Sequence, residues 1–170
     1  MIIIGIGSNL SSSFGDRFKN IQLAISFLQN NGIKIIKKSS FYETPSYPDI
    51  NNPKFINIVV SIETEFNPKE LMSVLISIEE KLERKRHKKN EPRTCDLDII
   101  DYKGIIKNFN SSNIFLTLPH KELTSRNFVL FPLKEISPSW KHPKTNENID
   151  DLIYNLSKDQ KMSILKIKKN

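Results

Sequence analysis

The apolar positions fall into short runs of differing period, and each period predicts an element. Ile2 to Gly7 is a short apolar run ended by Gly7-Ser8-Asn9, which reads as a strand, and the polar stretch from Ser8 to Gly15 reads as a loop. Phe18, Ile21, Ile25 and Leu28 then recur at helical spacing behind Asp16, a suitable N-cap, and Asn31-Gly32 supplies the stop. Ile33 to Tyr42 alternates and predicts a second strand. Thr44 to Pro53, with its prolines, predicts a loop, and Phe55 to Thr64 is a β-rich third strand. Asn67-Pro68-Lys69-Glu70 is a helix start, with Asn as cap, Pro at the first helical position and Glu three residues after the cap. Leu71, Val74, Leu75, Ile78 and Leu82 form one apolar stripe, so the helix is expected to run to about Lys85. Cys95 to Tyr102 is a fourth strand.

This order is the α+β, ferredoxin-like β-α-β-β-α-β pattern. The pattern weakens beyond it. Helices are expected near Ser125 to Leu133 and Asp150 to Leu156, and a closing strand near Ser163 to Ile167. No repeat or low-complexity linker divides the chain, and residues 1–170 are expected to form one domain.

Composition narrows the classes. The chain is 38 % apolar and 26 % charged, enough to bury a core. No apolar run approaches the roughly 20 residues of a membrane helix, and no basic segment precedes the apolar start as in a signal peptide. A single cysteine excludes an internal disulfide and suits a reducing compartment, while one Cys with three scattered His is a poor basis for structural zinc. A cytoplasmic monomer is expected.

The net charge of +7 asks for an anionic partner. Between Lys81 and Arg93 stand seven cations against Glu83 and Glu91; the second basic stretch, Lys158 to Lys169, reads as a solvated end. Residue choice says more. The cations are 21 Lys and 5 Arg, yet four of the arginines, Arg84, Arg86, Arg93 and Arg126, lie in the segments that carry the remaining chemistry. Arginine grips phosphate with a planar fork, whereas lysine offers a point charge.

In a strand over Cys95-Asp96-Leu97-Asp98-Ile99, alternate residues share a face, so Asp96 and Asp98 point together, away from Cys95, Leu97 and Ile99. Two neighbouring carboxylates repel unless a divalent cation sits between them, and Mg²⁺ is held by such carboxylates plus substrate phosphates. Salt bridges from nearby arginines are the competing explanation. Glu91-Pro92-Arg93-Thr94 leads into this strand, and Arg84 and Arg86 arrive from the preceding helix. His120 and Arg126 can both reach an anion, and Asn57, in mid-strand, carries an amide that a flat heterocycle with a donor–acceptor edge would satisfy. No P-loop or protein-kinase signature is present.

The blocks Gly5-Ile6-Gly7-Ser8-Asn9-Leu10, Ser40-Phe41-Tyr42-Glu43-Thr44-Pro45, Phe55-Ile56-Asn57, Pro92-Arg93-Thr94-Cys95-Asp96-Leu97-Asp98-Ile99, Leu118-Pro119-His120 and Arg126 to Leu133 resemble, in that order, the 6-hydroxymethyl-7,8-dihydropterin pyrophosphokinases of folate biosynthesis. The resemblance implies transfer of pyrophosphate from ATP to the pterin alcohol, with AMP as coproduct. It implies that Asp96 and Asp98 hold two Mg²⁺, and that Arg84, Arg93, Asp96 and Asp98 are catalytic. ATP contacts would come from Arg84, Arg86, Arg93, Ile99, Thr117, His120 and Arg126. Pterin contacts would come from Thr44, Pro45, Tyr47, Asn57 and the ring pair Phe55 and Phe128. Glu79 matches an acidic family position without an assigned role. The sequence departs from the family at Asn90-Glu91, where Trp-Gly is common, at Lys121 and at Phe115. The alternatives are an RNA-binding module of the same element order, for which the strands lack stacking aromatics, and a non-catalytic pterin binder.

Overall fold

The computed structural model describes residues 1–85, 91–111 and 114–167. Along the chain these form β1 (Ile2–Ser8), α1 (Arg17–Asn30), β2 (Lys34–Lys38), β3 (Phe41–Thr44), β4 (Phe55–Glu63), α2 (Pro68–Lys81), β5 (Asp96–Tyr102), β6 (Lys107–Ser111), β7 (Ile114–Leu118), α3 (Asn127–Ile136), α4 (Ile149–Asn155), α5 (Lys158–Met162) and β8 (Leu165–Ile167). The main sheet has the order β5-β1-β4-β3-β8, with β2 also on β4, and every pairing is antiparallel.

The alternation of β1 decides the layers. Ile2, Ile4 and Ile6 turn to one face, where they pack with Ile21, Ala24 and Leu28 of α1 and with Leu71, Leu75 and Ile78 of α2. Ile3 turns to the other face with Val59 and Ile100, under Leu130 and Leu133 of α3 and Leu152 of α4. The expected caps form: Asp16 accepts from the Lys19 N–H, and Asn67 with Glu70 closes a reciprocal capping box.

Two expectations change, and two further features are added. The single strand over Ile33 to Tyr42 is two strands, because Ser39 interrupts the ladder: its Oγ accepts from the Val59 N–H, in place of a backbone carbonyl. The second helix ends at Lys81 rather than Lys85. Glu83 takes a left-handed backbone (φ 63°), and the Glu83 and Arg84 N–H groups return to the carbonyls of Glu80 and Glu79, the two bonds of a Schellman turn. The β6–β7 hairpin was not anticipated, since β6 is largely polar, and neither was α5. The expected closing strand forms as β8 on β3, its largely exposed residues including Lys166, which pairs with Glu135. Among the described residues, no helix is long and apolar enough to cross a membrane.

Candidate functional site

Strand register brings the candidate residues into adjacent rungs. Asp96 lies opposite Gly7, Gly7 opposite Asn57, and Asn57 opposite Tyr42; one step along, Asp98 lies opposite Gly5 and Gly5 opposite Val59. Residues directly across a pair share a face. Asp96, Asp98 and Asn57 therefore rise from the face that carries α3, while the central strand between them offers only glycine. A Cβ on Gly7 would meet Asn57 Oδ1 at 2.8 Å and Phe55 Cδ1 at 3.7 Å. Gly7 is thus required by close approach: its missing side chain is the floor of the site.

On the metal-candidate side, each aspartate is neutralised by arginine. Arg84 Nη1 donates to Asp96 Oδ1 at 2.6 Å, and Arg93 Nε lies 3.0 Å from Asp96 Oδ2 without the alignment of a hydrogen bond. Arg126 Nη1 donates to Asp98 Oδ2 at 2.8 Å, and His120 Nε2 is 3.8 Å away. Burial opposes the charge on Arg84 and on Arg126, but Asp96 with Glu79, and Asp98 with Glu122, outweigh it and hold both guanidiniums firmly protonated. His120 Nδ1 accepts from the Glu122 N–H, which places the imidazole proton on Nε2, toward Asp98. Burial holds its pKa below the usual value and outweighs the Asp98 attraction.

Glu79 explains how Arg84 reaches this cluster. It lies on the core face of α2, 1 % exposed, and its Oε1 accepts from both the Leu97 N–H (2.7 Å) and Arg84 Nη1. One buried carboxylate thereby ties the helix, the acidic strand and the arginine together. The sequence carried the signal, since Glu79 falls beside Ile78 and four residues after Leu75 on the apolar stripe.

On the heterocycle-candidate side, Asn57 Nδ2 donates to Thr44 Oγ1 at 3.1 Å, and both residues are buried. Phe55 and Phe128 are half-buried. The Arg93 guanidinium lies 5.3 Å from the Phe55 ring centroid, and that of Arg126 lies 5.5 Å from Phe128. Tyr42 and Ser40 both bond Glu135 of α3, which fixes the helix bearing Phe128 against β3.

A sequence profile of the 7,8-dihydro-6-hydroxymethylpterin-pyrophosphokinases matches residues 3–138, which is most of the chain. The chain belongs to this family. It is 37 % identical over 136 residues to the 2-amino-4-hydroxy-6-hydroxymethyldihydropteridine pyrophosphokinase of Methylorubrum extorquens, spanning 79 % of this chain and 81 % of the relative. The enzyme of the same name from Bacillus subtilis is 36 % identical over 151 residues, 86 % of this chain and 84 % of the relative. The fold matches that of Plasmodium falciparum HPPK-DHPS in its structure with pteroate, with a TM-score of 0.68 at 18 % identity over 89 % of this chain and 41 % of that one.

Of the residues that the pyrophosphokinase resemblance singled out, Arg84 and Arg93 pair with Asp96, and His120 and Arg126 lie on Asp98, two neighbouring ionic groups on one face of β5; Thr44, Phe55, Asn57 and Phe128 adjoin them through the Gly7 rung and the two arginine–ring contacts. Pro45 and Tyr47 are exposed on the loop after β3, and Tyr47 is 84 % exposed. Thr117 is exposed on β7, whereas the Ile99 side chain is buried in the α1–α2 core, on the opposite face from the aspartates. Arg86 and Asn90 lie outside the described residues.

Proposed function

We infer that this chain catalyses the ATP-dependent pyrophosphorylation of 6-hydroxymethyl-7,8-dihydropterin, giving the pterin diphosphate and AMP in folate synthesis. Membership of the pyrophosphokinase family supports the activity. The observation that carries the site reading is the rung Asp96–Gly7–Asn57, which sets a carboxylate and an amide on either side of an empty floor. The strand order β5-β1-β4-β3 is read as a ferredoxin-like core with added helices and a closing strand.

In this reading the pterin ring lies between Phe55 and Phe128, with its polar edge on Asn57 and on the backbone of the Thr44–Tyr47 segment. Asn57 is already oriented by Thr44, so little freedom is lost on binding. Arg84, Arg93, His120 and Arg126 leave the aspartates to grip the triphosphate, with Arg86, Thr117 and the backbone rather than the buried side chain of Ile99 completing the ATP contacts. No group of three or more metal-ligating side chains occurs among the described residues. Two aspartates without a third protein ligand fit Mg²⁺ ions whose shells are filled by phosphate oxygens and water. Held by Asp96 and Asp98, two Mg²⁺ would neutralise charge on the transferring group. The guanidiniums act on the same charge, and the pterin pocket holds the hydroxymethyl oxygen in line with the β-phosphorus.

The test is incubation with ATP, Mg²⁺ and the pterin alcohol, with nucleotides resolved by chromatography. AMP is expected in step with pterin diphosphate. ADP with a pterin monophosphate would refute pyrophosphoryl transfer.

A further inference from the structure

Asn9 carries no role in the reading above, yet it is 2 % exposed and makes a hydrogen bond with every polar atom of its side chain. Its Oδ1 accepts from the Arg93 N–H at 2.6 Å, and its Nδ2 donates to the Pro53 carbonyl at 3.0 Å and to Ser46 Oγ at 3.2 Å. Ser46 Oγ in turn donates to the Pro53 carbonyl at 2.6 Å, closing the two ends of the loop that follows β3. The main chain strengthens the first attachment. The Asn9 and Leu10 N–H groups both donate to the Arg93 carbonyl, at 3.1 and 3.2 Å, and Ser8 Oγ donates to the Thr94 carbonyl at 2.6 Å.

One planar amide therefore has two attachments. Through its oxygen it holds the backbone from which Arg93 reaches Asp96 and the Phe55 ring. Through its nitrogen it holds both ends of the loop that carries Tyr47. A shift of the Arg93 backbone must be passed to this loop, or else a buried amide is left unpaired.

We propose that Asn9 is a positioning residue that couples the triphosphate side of the site to the pterin loop, so that filling one side raises affinity for the other. The proposal rests on the site reading given above.

The experiment measures dissociation constants for a fluorescent oxidised 6-hydroxymethylpterin, with and without saturating Mg²⁺ and α,β-methylene-ATP, which cannot transfer its pyrophosphate. The parent chain should bind the pterin about tenfold tighter when the nucleotide analogue is present, within the usual range of linked sites. Asn9→Asp keeps the acceptor for the Arg93 N–H and loses both donors to the loop. Its coupling should fall to within about twofold of none, while its affinity for the nucleotide analogue alone stays within about threefold of the parent. Ser46→Ala removes only the hydroxyl at the loop end and should lower the coupling in the same direction. Asn9→Ala is informative if it folds, and the other two variants decide if it does not.

Full coupling in both Asn9→Asp and Ser46→Ala overturns the proposal. So does a parent with no coupling, or a purely structural effect, in which melting temperature and both affinities fall but their ratio is kept. Asn57→Ala separates the two readings: if it leaves pterin affinity unchanged, the pterin site itself is wrongly placed. If it weakens the pterin while Asn9→Asp keeps full coupling, only the role of Asn9 fails.

Discussion

Gly7→Ala adds one methyl group to the floor of the site. Gly7 has no positive φ, so alanine meets no backbone penalty and the effect is that of the added Cβ alone. That Cβ falls 2.8 Å from Asn57 Oδ1, a separation that real Cβ atoms essentially never show, so one of the two must move. β1 is an interior strand, hydrogen-bonded to β5 on one side and β4 on the other, so its backbone is stiffer than the Asn57 side chain. Asn57 therefore gives way and loses its 3.1 Å bond to Thr44. An amide edge displaced from the pterin costs about 1–3 kcal/mol, which is roughly a five- to 150-fold weaker dissociation constant. Stability should change less. Overpacking costs about 1–3 kcal/mol, offset by about 0.4–1 kcal/mol from the stiffer unfolded chain. Phe55 Cδ1, at 3.7 Å, stays in ordinary contact. Calorimetric titration with the pterin and, separately, with Mg²⁺ and a non-transferable ATP analogue reads the outcome. Pterin affinity should fall by the stated factor, with nucleotide affinity within about threefold. An unchanged pterin constant, or equal losses for both ligands, would refute the claim that Gly7 exists to seat Asn57.

Asp96→Ala and Asp98→Ala should each abolish turnover with the fold retained. Because each carboxylate pairs with arginine, the melting temperature should fall slightly, rather than rise from relief of repulsion between aspartates; activity assays and thermal melts check both points. Glu79→Gln should lower kcat by about ten- to a hundredfold by weakening the charge-assisted bond to Arg84 while leaving pterin affinity intact; an unchanged kcat would refute its positioning of Arg84. Burial holds the His142 pKa below its ordinary 6.5, and its Nδ1 accepts N–H bonds from Lys144 and Thr145. The neutral form is thus favoured in the folded state, so the stability it contributes is complete above about pH 6.5 and is lost as pH falls below it. His142→Asn should flatten the decline in melting temperature between about pH 7 and pH 5, and an unaltered slope would contradict the assignment. Arg93→Lys keeps the charge but gives up the fork and the flat contact with Phe55, so turnover should slow about ten- to a hundredfold; near-parental kinetics would mean that the site reads charge alone.

How much of this was legible follows from the range of the interactions involved. The two capping motifs, the strand of Asp96 and Asp98 and the opposite burial of Leu97 and Ile99 are short-range consequences of side-chain period and were readable directly. The split at Ser39 was not, because a hydroxyl replacing a carbonyl in the ladder depends on Val59, twenty residues on. The early end of α2 was hidden by Glu83, a residue with no special preference for the left-handed region. It is held there while its carboxylate accepts from the Ser13 N–H and hydroxyl. In the candidate site, the charged and aromatic residues that the fold brings together are ones the sequence pattern already singles out. The glycine floor was not legible, since a missing side chain has meaning only once register sets Gly7 between Asp96 and Asn57.

The same register explains why arginine is concentrated where it is. Within the chain the site is electrostatically closed: Asp96 is matched by Arg84 and Arg93, and Asp98 by Arg126. An aspartate pair left bare would raise the cost of folding, and bare guanidiniums would be equally unsatisfied. The proposed reaction would exchange these partners without exposing either sign, with phosphate on the arginines and Mg²⁺ held by the aspartates. Each of two arginines also spans from an aspartate to an aromatic ring, Arg93 to Phe55 and Arg126 to Phe128. A lysine can satisfy a carboxylate, but its point charge has no flat face with which to cover a ring. A chain that otherwise prefers lysine thus has arginine where one cation must serve both a carboxylate and a ring.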